Sequence, residues 1–245
     1  MTLKAHRLLG AADVIVYDKL VTNEILDLAR RDAKRIFVGK SRANHSVPQP
    51  QIAEILAEEA AEGGLVVRLK GGDPFIFGRG GEEVEALTAK GVPVEVVPGI
   101  TAASGCAAAI GKPLTHRDHA SAVTFVAGQR RDLKDADWKG LAGPGRTLVV
   151  YMGLGAATDM SEKLIADGLA PQTPVAVIEN GTRKNMRSLF TTLAELPLSL
   201  SDHVVVAPSL FIIGEVVGVA PDAAKRDEAV LALAQSAFAS LSEQA

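Results

Sequence analysis

Eight short apolar runs, alternating with helical stretches, constrain the fold of this chain more than any other feature. Each run has four to six residues and is apolar on both faces, as expected for a strand that helices cover on each side. The predicted strands are Val14–Tyr17, Arg35–Val38, Leu65–Leu69, Val92–Val97, Val123–Ala127, Thr147–Tyr151, Val175–Ile178 and Leu210–Ile213. Apolar residues at helical spacing between them include Ile52, Ile55, Leu56 and Ala60, and less regularly Leu154, Met160, Leu164 and Ile165. The alternation predicts an α/β fold with mainly parallel sheets flanked by helices.

The length of 245 residues fits two domains better than one open sheet of eight strands, since a domain usually has about 100–200 residues. The periodic pattern breaks near Gly111–Asp118. We therefore predict an N-terminal α/β domain over 1–115 and a C-terminal α/β domain over 116–245. After Pro221, apolar residues recur at spacings of three and four, which predicts a terminal helix that packs on the body.

Composition excludes several classes of protein. The net charge of −3 and pI near 6.0 leave no basic field for nucleic-acid binding. No apolar run approaches the roughly 18 residues of a membrane span. No signal-peptide core is found near Met1, and the single Cys106 fits a reducing compartment. The five histidines have no metal-ligand spacing, so no metal is predicted. These features favour a cytoplasmic protein.

The first candidate site is the glycine-rich segment that follows the predicted strand Leu65–Leu69. Five glycines lie within 71–81, and they permit close approach of the backbone to a ligand. Asp73 offers an acceptor for ribose hydroxyls or an ammonium group. A tight connection between strand and helix, with Glu82 and Glu83 at the helix N-terminus, explains the same pattern. Glycine density alone leaves both interpretations open.

Three more candidate positions follow predicted strands, where open α/β sheets bind ligands. Thr101, after Val97-Pro98-Gly99, either caps a helix of small residues or binds a ligand there. Asp18 and Lys40 each follow a predicted strand, and a carboxylate and an ammonium in one cleft suit proton transfer. From the residues alone, a helix cap for Asp18 and a solvated charge for Lys40 are the preferred interpretations.

The second half repeats the pattern of a strand followed by glycine. Met152 and Gly181 follow predicted strands in Tyr151-Met152-Gly153 and Glu179-Asn180-Gly181. A methionine at a strand end is more often core than ligand. Arg117 could bind a carboxylate bidentately, but an interdomain salt bridge explains it equally well.

Five segments together resemble the uroporphyrinogen-III C-methyltransferases of the tetrapyrrole methylase superfamily. The segments are Gly71–Glu83, Val97–Gly105, Pro113–Asp118, Tyr151–Gly153 and Glu179–Thr182. The resemblance extends to about Val219. It implies a two-domain tetrapyrrole methylase fold with the active site in the interdomain cleft, S-adenosylmethionine as cofactor, a tetrapyrrole substrate and a homodimer.

The resemblance also implies roles for individual residues. Its cofactor contacts fall on Gly71, Gly72, Asp73, Ile76, Thr101, Ala102, Met152 and Gly181. Asp18 becomes the proposed proton acceptor and Lys40 the proposed donor, which reverses the preference drawn from the residues alone. Arg79 and Arg117 are suggested as clamps for substrate carboxylates, from their charge and location.

The activity that the resemblance implies is methylation of uroporphyrinogen III at two ring carbons. The product is precorrin-2, on the way to sirohaem or cobalamin. The alternatives are a methylase of a later corrin precursor, and a non-catalytic truncated dimer that binds tetrapyrrole or cofactor weakly.

One departure from the family concerns the start of the chain. Relatives begin with a strand and a G-x-G-P-G-D-P loop, whereas this sequence opens at Met1-Thr2-Leu3-Lys4-Ala5. Without that strand, the first sheet should carry a ladder of unpaired backbone groups. We interpret the sequence as a truncated form in preference to a damaged enzyme, because every later motif is intact.

Overall fold

The chain forms two compact units, Met1–Ala102 and Ala103–Ala245, in a computed structural model. The structure describes residues 1–39, 47–129 and 137–219. The helix predicted after Pro221 lies outside the described residues. The domain boundary at 115/116 stays a prediction. No helix in the described ranges is both long and apolar enough to cross a membrane.

The first unit is built on a small parallel sheet. Its strands are β1 Val14–Tyr17, β2 Lys34–Phe37 and β3 Val66–Leu69, in the order β2-β1-β3. Its helices are α1 Leu3–Ala11, α2 Asn23–Leu26, α3 Gln49–Ala61 and α4 Gly80–Ala89. β1 pairs in parallel with both neighbours, with Val16 opposite Ile36 on one side and Arg68 on the other. The carboxyl ends of β1 and β3, which carry Asp18 and Lys70, therefore lie at the same edge of the sheet.

Two apolar clusters cover the two faces of this sheet. Ile15 packs with residues of α1 and α2, including Leu9 and Leu26. Val14 and Val16 point the other way and pack with α3 and α4. Alternate residues of a strand face opposite sides, so a central strand with a helix layer on each side must be apolar throughout. This explains the continuous apolar run that predicted β1.

The strand predicted over Val92–Val97 is wrong. Residues 92–97 form no strand, and the side chain of Val94 is 39% exposed. β3 pairs with β1 on one side, and no strand of the described residues pairs with its other side. A β-branched run can adopt extended backbone, but a strand also needs a hydrogen-bonding neighbour. Residues 92–97 have no such neighbour.

The second unit contains a five-stranded mixed sheet. Its strands are β4 Ala122–Ala127, β5 Arg146–Tyr151, β6 Pro174–Glu179, β7 Arg187–Thr192 and β8 Ser209–Ile213, in the order β4-β5-β8-β6-β7. Its helices are α5 Ala102–Ala109, which begins at the unit boundary, α6 Ala157–Ala166, α7 Leu196–Asp202 and α8 Val216–Val219, with a 3-10 turn at Leu154–Ala156. Trp138, Met160 and Phe211 are fully buried in its core.

The predicted α/β class is confirmed, with one correction to the strand directions. β4 and β5 are parallel, whereas β8 is antiparallel to both β5 and β6, and β7 is antiparallel to β6. Residues 180–186 connect β6 to β7, far fewer than the dozen or so that a parallel crossover needs. The second sheet is therefore mixed, and not mainly parallel as predicted.

Candidate functional site

The Asp73 carboxylate accepts hydrogen bonds from both of the glycine-containing loops that the sequence singled out in the first unit. One oxygen accepts the Phe75 N–H at 2.9 Å, and the other accepts the Gly99 N–H at 3.0 Å. A carboxylate oxygen can accept two hydrogen bonds, so each oxygen keeps one acceptor position. Asp73 therefore fixes the distance between the loops and retains acceptor capacity toward a ligand.

Gly99 and Gly72 allow these loops to approach each other more closely than other residues would permit. A Cβ on Gly99 would overlap the carbonyl oxygen of Gly72. Gly72 itself has a φ of +88°, and a Cβ on it would lie 3.7 to 4.0 Å from backbone atoms of Thr101 and Ala102. The two loops therefore approach each other backbone to backbone at Gly72 and Gly99.

The small-residue segment after Gly99 becomes the first turn of α5. Thr101 is half-buried, Ala102 is exposed and opens the helix, and Ala103 is fully buried. The Ala103 N–H donates to the Tyr151 hydroxyl at 3.0 Å. A tyrosine from the end of β5 thus satisfies one of the free N–H groups of this helix end. From the sequence, Thr101 is the candidate for capping this helix or for binding a ligand there, and no local pattern identifies Tyr151.

Asp18 lies where β1 ends, and both of its oxygens are held. Oδ1 accepts the Leu20 N–H at 2.9 Å, and Oδ2 accepts Nη2 of Arg68 at 3.1 Å. Its side chain is 23% exposed. The Leu20 contact is a local turn that precedes the helix. The helix cap predicted for Asp18 is wrong, because α2 begins at Asn23 and Thr22 is its N-cap residue. The Arg68 contact crosses from β3 and is not explained by capping.

Sequence reasoning missed the buried charges behind Asp18. From the sequence, Glu83 of α4 is expected only to favour the helix N-terminus. In the structure it is 5% exposed, and its carboxylate forms ion pairs with Arg68 and Lys70. Burial lowers the pKa of Lys70, the Arg68 cation lowers it further, and Glu83 opposes both. The signal was present in Val66-Val67-Arg68-Leu69, because a charge inside an apolar strand requires a partner.

The remaining predicted site residues of the first unit make only local contacts. Ile76 is half-buried, and Gly71 packs against Leu20. The Arg79 guanidinium forms two hydrogen bonds to Glu82, at 2.7 and 2.9 Å, and remains 48% exposed. Two nitrogens of the Arg79 guanidinium are therefore engaged by the Glu82 carboxylate. Lys40, the predicted donor, lies outside the described residues.

The second unit holds Met152, Gly181 and Arg117. Met152 has a φ of +54° and is 50% exposed, so it is not the core methionine that its place at a strand end suggested. A Cβ on Gly181 would overlap the sulfur of Cys106 in α5, which gives that glycine a packing reason. Arg117 is exposed in the tight turn closed by the His116–Ala120 bridge.

A family model and curated relatives match this sequence over most of its length. The family model of tetrapyrrole (corrin/porphyrin) methylases matches residues 1–197. A siroheme synthase of Methylococcus capsulatus is 58% identical over 220 residues, which are 89% of this chain and 46% of the relative. The chain thus spans about half the length of the curated relatives it matches.

Two solved structures resemble the chain over most of both lengths. The native uroporphyrin III C-methyl transferase of Thermus thermophilus has a TM-score of 0.76 and 39% identity, over 89% of this chain and 88% of that one. The same TM-score and identity are found for a structure of the Thermus thermophilus enzyme complexed with S-adenyl homocysteine, over 89% and 87%.

Proposed function

We propose, from the premise that the chain belongs to the tetrapyrrole (corrin/porphyrin) methylase family, that it methylates uroporphyrinogen III at two ring carbons to give precorrin-2. The family match confirms the predicted family, and with it the enzyme class and the cofactor S-adenosylmethionine as properties of that family. The substrate and the number of methyl groups belong to the proposal. They are supported by the relatives whose printed names are uroporphyrin III C-methyl transferase and siroheme synthase.

The observation that carries the proposal is the pair of loops joined by Asp73. Backbone groups of Gly71, Gly72 and Thr101 and the remaining acceptor positions of Asp73 suit the hydroxyl and amino groups of an adenosyl ligand. Ile76 and Ala102 would supply apolar contact. The residues present therefore fit the cofactor. The roles predicted for Met152, Gly181 and Arg117 in the second unit stay predictions.

The chain's own contribution is mainly positioning and proton transfer. When bound, S-adenosylmethionine supplies a methyl group on a sulfonium centre, which the ring carbon takes as S-adenosylhomocysteine is released. The methylated substrate then has one proton in excess, and we propose Asp18 as its acceptor. Asp18 suits this role because its carboxylate is held at both oxygens yet remains 23% exposed. Lys40 as donor, Arg79 as a substrate clamp and a homodimer are further parts of the proposal.

The decisive experiment incubates the protein with S-adenosylmethionine and uroporphyrinogen III and identifies products by mass spectrometry. We expect a gain of two methyl groups. Methylation of a corrin precursor without methylation of uroporphyrinogen III would move the assignment to a later methylase. If calorimetry detects no binding of S-adenosylhomocysteine at high micromolar concentration, the proposal that this chain is a methyltransferase is wrong. The alternative of a non-catalytic protein is then favoured.

A substitution of Asp18 tests the proposed proton acceptor. Asp18→Asn keeps the size of the side chain and the acceptor for the Leu20 N–H, but removes the carboxylate. We expect the turnover number kcat to fall by about 100-fold or more, the usual contribution of a general base, while the affinity for S-adenosylhomocysteine stays within about twofold of the parent. Full turnover in this variant would remove Asp18 from the reaction.

A further inference from the structure

A single arginine connects the proposed proton acceptor to a buried glutamate. Arg68 of β3 donates from Nη2 to Asp18 at 3.1 Å and from Nε to Glu83 at 3.2 Å. Its Nη1 donates to the carbonyl oxygens of Leu69 and Val16, at 2.9 and 3.4 Å. Every nitrogen of the guanidinium is therefore engaged, so the planar group has one orientation in this environment.

Glu83 holds Arg68 through Nε, whereas Asp18 is held through Nη2. Besides Nε of Arg68, the Glu83 carboxylate accepts Nζ of Lys70 at 3.1 Å on each oxygen and the Gln49 side-chain amide at 3.0 Å. These partners come from β3, the residue after it, and α3. Glu83 itself lies in α4, so the cluster joins the sheet to the helix layer on one of its faces.

The cluster brings together two basic and two acidic side chains. Arg68 and Lys70 carry two positive charges, and Asp18 and Glu83 carry two negative charges. The side chains of Arg68, Lys70 and Glu83 are between 6% and 13% exposed, whereas that of Asp18 is 23% exposed. Breaking up a balanced buried cluster costs more than breaking an exposed ion pair. Asp18 is thus the one member with substantial access to solvent or substrate.

We propose that Arg68 is a positioning residue that holds the Asp18 carboxylate in place for proton transfer, with Glu83 fixing Arg68 in turn. The proposal rests on the role proposed above for Asp18. The Leu20 N–H fixes one oxygen of that carboxylate and Arg68 fixes the other, so its plane is set by two donors from different parts of the sheet edge. A general base needs such placement, since about 1 Å of displacement can cost 100-fold in rate.

The test replaces Arg68 by lysine, which keeps the positive charge that Glu83 requires. One ammonium group cannot reach both carboxylates in the manner of the two separate guanidinium nitrogens. We expect Arg68→Lys to lower kcat for uroporphyrinogen III by about tenfold or more, with KM within about twofold of the parent. In the Asp18→Asn background the same substitution should change kcat by less than about twofold, because it acts through Asp18.

A matched control comes from the neighbouring strand. Arg35 of β2 donates to the Leu26 carbonyl oxygen and forms an ion pair with Asp27, and its side chain is thus held away from Arg68 and Glu83 by other partners. Arg35→Lys should therefore leave kcat and KM unchanged. If Arg68→Lys keeps kcat within twofold of the parent, or lowers it equally with and without Asp18, the proposal is wrong. If Arg68→Lys does not fold, Glu83→Gln takes its place. The same changes in kcat, with and without Asp18→Asn, then decide the proposal.

A second readout separates this proposal from the proposed function. The Leu20 amide donates to Asp18, so loss of the Arg68 contact should speed its hydrogen exchange, by about fivefold or more. Arg35→Lys should not change that rate. This comparison needs no activity, so it decides the role of Arg68 even if uroporphyrinogen III is not methylated. An unchanged Leu20 exchange rate in Arg68→Lys overturns the proposal.

Discussion

At the scale of single residues, Gly181 shows how a predicted ligand-binding glycine can also have a packing role. Its Cβ position is occupied by the sulfur of Cys106, a buried residue of α5. Burial raises the pKa of the Cys106 thiol to about 11, so the thiol stays protonated at neutral pH and acts as an apolar filler. The glycine is required by this contact, whatever role it has toward a cofactor.

Gly181→Ala should therefore destabilise the second unit by about 1–3 kcal/mol, the usual cost of overpacking. The comparison is made by urea unfolding of the variant and the parent. Adding Cys106→Ala should recover part of the loss, because it removes the sulfur that the new methyl group would meet. Gly155→Ala is the matched control, since nothing lies within 4 Å of its Cβ position. Equal stability of Gly181→Ala and the parent would contradict the packing explanation.

The site residues differ in how far sequence could predict them. The glycine loop 71–78 and Asp18 follow strands, and a strand end can be found from a local pattern. The contact between Arg68 and Asp18 spans 50 positions of sequence and exists only because β1 and β3 pair in parallel. The charge of Arg68 inside an apolar run signals that it has a partner, but no local pattern identifies Asp18 or Glu83 as that partner.

At the scale of strands and helices, pairing explains both the correct and the wrong predictions. Val14–Tyr17 and Val92–Val97 are both rich in β-branched residues, yet of the two only the first pairs with other strands of the described residues. The opposite error concerns β7, whose Arg187, Ser188, Thr191 and Thr192 made the segment too polar to be recognised. An edge strand needs few apolar residues, and β7 lies at the edge of its sheet beside β6.

The pair Glu179 and Arg187 makes the stability of the edge strand β7 and its neighbour β6 depend on pH. They lie opposite each other in the register of β6 and β7, with Oε2 and Nη2 2.8 Å apart. Burial alone would raise the pKa of Glu179, but hydrogen bonds from Arg187, the Val206 N–H and Asn180 outweigh it and lower the pKa below its ordinary value. Folding therefore favours the ionised carboxylate. The resulting stability is present above the unfolded pKa of about 4.3 and is lost as pH falls through the lower folded pKa.

Arg187→Gln should shift acid unfolding to higher pH. Without the guanidinium, the buried Glu179 keeps fewer donors, so its folded pKa rises and protons bind the folded state at a higher pH. The measurement is circular dichroism between pH 7 and pH 2, and we expect a midpoint higher by a few tenths of a pH unit. Lys163→Gln, which removes an exposed ion pair with Asp159, should leave the midpoint in place. A midpoint in Arg187→Gln equal to that of the parent would exclude this role for the pair.

At the scale of the whole molecule, the two units differ in how completely they bury their sheets. β5, β6 and β8 are buried at nearly every position, and the core around them includes Trp138, Met160 and Phe211. In the first unit only β1 is buried in this way. β2 is largely exposed and β3 is half-buried along its length. Backbone hydrogen bonds with few buried neighbours open most readily.

Native hydrogen exchange should therefore be slowest in β5, β6 and β8 and clearly faster in β2 and β3. Mass spectrometry of peptides measures both groups in one sample, and β1 is the internal control, because it shares a unit with β3 but is paired on both sides. Protection of β3 equal to that of β8 would contradict this ranking.

Addition of S-adenosylhomocysteine extends the hydrogen-exchange measurement to the proposed cofactor site. Binding should slow exchange over 71–78 and 97–105, where the Asp73-linked loops lie, and leave β7 unchanged. Slowing confined to other segments would place the cofactor elsewhere in the chain and remove the Asp73-linked loops from its site.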